Sequence, residues 1–200
     1  MNEHDEVIAD TRRWVERAVI GLNLCPFAKA VQHKGQVHYA VSSAEDVPGL
    51  LKDLAVQLQA LIDQDPEDRD TTLLMVPHGF DDFLVFNDFL DLADELLVEM
   101  ALEGEVQVAS FHPRFQFEGT AASDIGNATN RSPYPTLHLL REASIDRAVE
   151  AFPEAEAIFE ANIATLTELG AAGWQALQVG PGDAAKAAGE ATPATRQDAS

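Results

Sequence analysis

The sequence predicts an α/β fold: a small, mainly parallel sheet of three or more strands covered by helices, with additional N- and C-terminal helices. Two observations carry this. Strand-like runs alternate with long amphipathic helical patterns, so each connection is long enough for a parallel crossover. One of the runs, Thr71 to Val76 (TTLLMV), is continuously apolar, as expected of a strand covered on both faces.

The elements follow in order. Glu6 to Leu22 keeps Val7, Trp14, Val15, Ala18, Val19 and Leu22 at helical spacing, and Gly21 and Pro26 end it. Proline favours the first position of a helix, so a short second helix is expected from Pro26, with Cys25 as its N-cap. Gln36 to Val41 alternates like a strand. Ala44 to Asp63 places Leu50, Leu51, Leu54, Leu58, Leu61 and Ile62 on one helical face. Asp81 to Leu102 is a long helix, with Asp81 or Asp82 as N-cap and Gly104 as its stop. Glu105 to Phe111 is a third strand. Two further helices are expected near Pro135 to Phe152 and Pro153 to Leu169, the latter with Glu154, Glu156 and Glu160 favourably placed for its dipole. From Gly180 the chain loses all periodicity. The domain is therefore drawn as 1–175, followed by a disordered acidic, Ala-rich tail at 176–200.

A formal charge of −21 repels nucleic acid and anionic membrane surfaces alike. The charged N-terminus, MNEHDEVIADTRRW, has no apolar signal core, and no apolar run is long enough for a bilayer. One cysteine makes neither an internal disulfide nor a thiolate cluster. A cytoplasmic protein is expected.

The candidate site is the polar stretch from Ser110 to Arg141, too long for an ordinary connection. In a parallel sheet, ligands bind outside the carboxyl ends of the strands, where His78 follows the second strand and His112 the third. If a helix starts near Pro135, Tyr134, His138 and Arg141 share one of its faces. Arg131, Ser132, Asn130 and Arg114 lie beside its start, where arginine forks suit phosphate or carboxylate. The plainer reading is that Asn127, Asn130 and Ser132 cap turns and Arg131 pairs with an acidic helix. Cys25, as an N-cap thiolate, is a candidate nucleophile; buried apolar packing is its plainer role. His78, His112 and His138 also have the donor type for a divalent metal, without any compact signature such as H-E-x-x-H.

The pieces RRWVERAVIGLNLCPFAKA, FLVFNDFLDLADELL, VASFHPRFQF and NRSPYPTLHLLREASIDRAV together resemble the bacterial domain-of-unknown-function family 1415, from about Thr11 to Trp174. The resemblance implies a bacterial single-domain protein and assigns no residue a role.

The residues thus lead to one expectation: a small anionic metabolite, held by Arg131 and Arg141 at the strand edge. Hydrolysis or group transfer would use His112, His78 or His138 as acid or base, with Cys25 as a possible nucleophile. No Gly-rich phosphate loop or G-x-S-x-G elbow is present, so no organic cofactor is expected, while a divalent metal is allowed. The alternatives are a non-catalytic ligand-binding or interaction protein and a His-ligated metal-dependent hydrolase.

Overall fold

In the computed structural model, which describes residues 2–151 and 157–183, the first helix begins on a reciprocal cap. The Asn2 side chain accepts from the Asp5 amide at 2.9 Å, and the Asp5 carboxylate accepts from the Asn2 amide at 3.2 Å. This helix, α1 (Glu3–Trp14), does not stop at Trp14 but widens into a π-helical turn over Val15–Ile20. The bonds there reach five residues back, from the Gly21 amide to the Glu16 carbonyl at 3.1 Å and from Leu24 to Val19 at 2.9 Å. Such turns are rare and frequently mark functional sites.

The helix α2 (Ala28–His33) starts later than expected, with Phe27 and not Cys25 at its N-cap position. Cys25 is instead tied into turns, its amide donating to the Val19 carbonyl and its carbonyl accepting from Ala28. Next come β1 (Val37–Val41), α3 (Val47–Asp63), β2 (Thr71–Met75), α4 (Phe83–Glu99) and β3 (Val106–Phe111). Asp46 caps α3 and Asp82 caps α4 through their carboxylates. After a long loop holding a 3-10 turn at Ile125–Asn130, the chain forms β4 (Thr136–Arg141), α5 (Glu142–Ala151) and α6 (Ala157–Ala176). Residues 152–156, where one expected helix ends and the next begins, lie outside the described residues.

The sheet order is β1-β2-β4-β3, with β1 and β2 parallel and β4 antiparallel to both β2 and β3. The α/β class holds, and β1, β2 and β3 all run in one direction. The expected mainly parallel pairing does not, because β4 inserts between β2 and β3. Thr136–Arg141 was expected to be helical. Its alternation decides otherwise: Leu137 and Leu139 are fully buried on one face, while Thr136, His138 and Leu140 point to the other. Pro135 precedes the ladder, where its missing N–H costs nothing, and its carbonyl accepts from Val76 at 2.8 Å.

One sheet face is packed by α3 and α4. Leu50, Leu54, Leu58 and Leu61 of α3 meet Phe86, Phe89 and Ala93 of α4 over Ala40, Leu74, Leu137 and Leu139. Phe80 contacts Phe86 and Phe89 edge-on at 6.1 and 6.0 Å, each pair adding about 1 kcal/mol beyond area burial. The opposite face carries Leu73, Met75, Tyr39 and Phe111 and is covered by α1, its π turn, and Trp174, Leu177 and Val179. The stretch 177–183, assigned from sequence to the tail, is therefore part of the packed body. Arg13 donates to the Gln178 carbonyl at 2.6 Å, and Arg17 to the Leu177 carbonyl at 3.0 Å. Residues 184–200 of the expected tail lie outside the described residues.

Gly79 shows how tightly the loops at the strand ends are set. Its φ is 76°, and an added Cβ would collide with the Glu45 backbone carbonyl. No helix among the described residues is long and apolar enough to cross a membrane.

Candidate functional site

Register builds the site on the second sheet face. His138 lies in the centre of β4, with Leu73 of β2 and Ala109 of β3 as its partners. One row further along, Leu140 lies between Thr71 and Gln107. Over these rows stand Trp14, Val15 and Val19 from α1 and its π turn. Cys25, Phe27, Ala28 and Val31 close a second side, and Ile145, Ala148 and Val149 of α5 a third. The Ala109 methyl is too short to bridge from the sheet to these helices. A cavity of about 420 Å³ remains, within the range of small-molecule sites.

Its polar groups fall into two sets. Asp70, Thr71, Gln107 and Ser144 gather at the Leu140 end, where Ser144 donates to the Asp70 carboxylate at 2.6 Å and Thr71 to the Leu139 carbonyl at 2.6 Å. His138 stands apart from them. Its ring lies 5.9 Å from that of Phe111, tilted by 37°, and it makes no hydrogen bond to another described residue. Protein surrounds it in the sheet, yet no fully occluded side-chain nitrogen or oxygen among the described residues lacks a partner. The imidazole nitrogens therefore keep open surface, and the space beside them is the cavity. Burial alone lowers the His138 pKa from 6.5 to about 4, so the ring is neutral at physiological pH. No arginine or lysine is among the described lining residues.

Of the residues expected to carry chemistry at the strand edge, His78, His112 and Arg131 lie at one end of the sheet without forming one site, while His138 lies mid-strand and Arg141 at the other end. His112 is 1% exposed and spends both nitrogens: Nε2 donates to the Phe80 carbonyl at 3.0 Å, and Nδ1 accepts from the Arg114 amide at 3.0 Å. Its ring packs on Phe83 and Phe86 at 5.5 Å each. Burial lowers its pKa, partly offset by the Phe80 carbonyl. His78 is exposed and pairs with Glu3 of α1 at 2.9 Å. The proposed metal set of His78, His112 and His138 does not converge, and no group of three or more His, Cys, Asp or Glu among the described residues is placed to hold a metal ion.

Arg131 staples the long loop, with Nε donating to the Phe115 carbonyl at 3.1 Å and an Nη to the Ala122 carbonyl at 2.7 Å. Ser132 donates to the Tyr134 carbonyl at 2.6 Å, and the Asn130 carbonyl accepts from His112. Arg114 is exposed. Asn127, fully buried, organises the loop through Ala121, Phe117 and Thr120. Arg141 sits at the far end of β4, where it donates to the Gln64 carbonyl at 2.7 Å and to the Leu61 and Arg69 carbonyls, closing the C-terminus of α3. Since Thr136 begins β4 beside Arg131 and Arg141 ends it, the two arginines flank opposite ends of a strand and cannot share one small anion. Arg131, Ser132, Trp174 and Asp183 do line a second cavity of about 370 Å³.

Of the sequence candidates, Cys25 and His138 share the apolar cavity. Trp14, Val19, Phe27, Ala109 and Phe111 were not singled out. The available signal was a histidine in the middle of the strand-compatible run TLHLL, where a buried polar side chain requires an explanation.

No curated protein and no solved structure matches the chain. The family model described as "Protein of unknown function (DUF1415)" matches residues 6–176, most of the described body. The chain belongs to that family.

Proposed function

We propose that the protein binds a small, predominantly apolar molecule in the cavity between the sheet and the α1, α2 and α5 helices. The observation that supports this reading is the cavity itself: about 420 Å³, walled by aliphatic and aromatic side chains, with the open nitrogens of His138 in its wall. A concave apolar surface of this extent gains by being covered by an apolar body, which is what such a ligand supplies. The π-helical turn supports the same reading, because Val15 and Val19, both on it, line the cavity. By proportion to a cavity of about 150 Å³ that holds benzene, the space suits on the order of fifteen heavy atoms. Binding to the folded state raises Tm. A rise with naphthalene or 2-naphthol, on the full chain, supports the proposal, and an unchanged Tm at saturation with both overturns it.

A second reading keeps the small anionic metabolite, with hydrolysis or transfer as its chemistry, and rests on Arg131 in the 370 Å³ cavity. Two of the Arg131 donors hold the loop, and the others supply the attraction. It calls for a Tm rise with inorganic phosphate or a carboxylate metabolite that Arg131→Ala abolishes. It is the weaker reading, because Asp183 lines the same cavity and opposes an anion.

A further inference from the structure

We infer that the ligand of the apolar cavity is uncharged and carries a hydroxyl group, an alcohol or a phenol, which it presents to His138. This rests on the cavity reading above and adds the chemical class.

A carboxylate or phosphate buried there would lose its hydration and meet no lysine or arginine among the described lining residues. The one carboxylate among the described lining residues, Asp70, accepts from Ser144 and has Arg147 at 3.9 Å. It sits at the Leu140 end, and His138 lies in the row of Leu73 and Ala109. An ammonium ligand beside His138 would likewise be stripped of water and find a neutral ring.

What the wall offers in the row of Leu73 and Ala109 is one imidazole with one N–H and one bare nitrogen, and no partner in the described protein for either. A wholly apolar ligand would leave both facing hydrocarbon, and that desolvation without a hydrogen bond opposes binding. A hydroxyl both donates and accepts, so it pairs with the His138 nitrogen it meets in either tautomer. Leu73 and Ala109 on the flanking strands, Phe111 beside the ring and Trp14 above leave room for an apolar body around that single polar contact.

The test is a calorimetric titration of the full chain with 2-naphthol, naphthalene and 2-naphthoate, which share one body and differ in headgroup. The expected order is 2-naphthol first, naphthalene roughly three- to tenfold weaker, and 2-naphthoate weakest, since one neutral hydrogen bond is worth about that factor. His138→Leu should remove the preference for the naphthol and leave naphthalene binding at least as tight. His138→Gln, which keeps a neutral donor and acceptor, should restore part of it. Circular dichroism and Tm establish that both variants are folded. Equal affinity for naphthol and naphthalene, a preference that survives His138→Leu, or tightest binding of the naphthoate overturns the inference and leaves the cavity reading standing. Failure of all three probes to bind overturns the cavity reading and the inference with it.

Discussion

Ala109 and His138 face each other across β3 and β4, a methyl beside an imidazole on the same side of the sheet. Side chains directly opposite on antiparallel strands are near neighbours, so a larger residue at 109 would cover the ring. Here the small one leaves it open to the cavity. The pairing makes position 109 the lever on cavity volume. We expect Ala109→Phe to weaken naphthalene and 2-naphthol binding at least tenfold. Stability should change by no more than about 1–2 kcal/mol, because the benzyl group enters open space and not a filled core. Titration and thermal unfolding of the same preparation check both halves.

His138 also gives the stability a pH dependence with a fixed sign. Its folded pKa is about 4 against 6.5 in the unfolded chain, with burial as the cause. The unfolded state therefore binds the proton more readily, and acid pulls the equilibrium toward unfolding. The effect is absent above about pH 7, grows as the pH falls through 6.5 and levels off below about 4, at a total of roughly 3 kcal/mol. His38 and His112 are shifted the same way, both chiefly by burial, so the wild-type curve alone does not isolate His138. Chemical denaturation of wild type and His138→Leu between pH 7 and 4 does: the variant should lose less stability by an amount that approaches that total. Parallel curves would show that the ring is not held neutral.

At His112 the outcome should be read in stability. Replacement by Ala strands the Phe80 carbonyl and the Arg114 amide and removes a ring packed against Phe83 and Phe86. Two lost buried hydrogen bonds and a cavity together predict a loss of about 3–5 kcal/mol in urea unfolding. Ligand binding in the cavity should be unchanged at temperatures where the variant is folded, since His112 packs against the α4 side of the sheet.

These contrasts mark what the sequence makes legible. The strand Thr71–Met75 and the helices α3 and α4 are readable because apolar spacing and the caps Asp46 and Asp82 are local features. β4 is not, because Tyr134, His138 and Arg141 fit a helical face and Pro135 suits a helix start. Only pairing to β2 and β3, over sixty residues and about thirty residues away, selects the strand. Arg131 and Arg141 look like anion ligands in a one-dimensional reading because their acceptors are backbone carbonyls, which every sequence contains. The cavity is least legible of all. It is a volume left between Ala109, His138 and three helices, and no single residue announces it.

Asp10 joins three parts of the chain, and the strength of that junction can be measured as a coupling. Its fully buried carboxylate accepts from the Tyr134 hydroxyl at 2.9 Å and from the Gly182 amide at 2.6 Å. α1 is thereby tied to the loop before β4 and to the segment that follows α6. Burial and the neighbouring Asp10 carboxylate both push the Tyr134 pKa up, so the phenol keeps its proton and remains a donor throughout the physiological range. Hydrogen bonds to a charged acceptor contribute about 1.5–3 kcal/mol, so Tyr134→Phe should cost an amount in that range. Asp10→Ala should cost more, because it also frees the Gly182 amide. In the Asp10→Ala background, Tyr134→Phe should then be nearly neutral, giving a coupling energy above about 1 kcal/mol in a double-mutant cycle. Limited proteolysis distinguishes the two losses: cleavage after 177 should accelerate in Asp10→Ala and much less in Tyr134→Phe, since only the former releases the segment that Arg13 and Arg17 also hold. Additive costs in the cycle would show that Tyr134 and Asp10 act independently and that the junction is not a single unit.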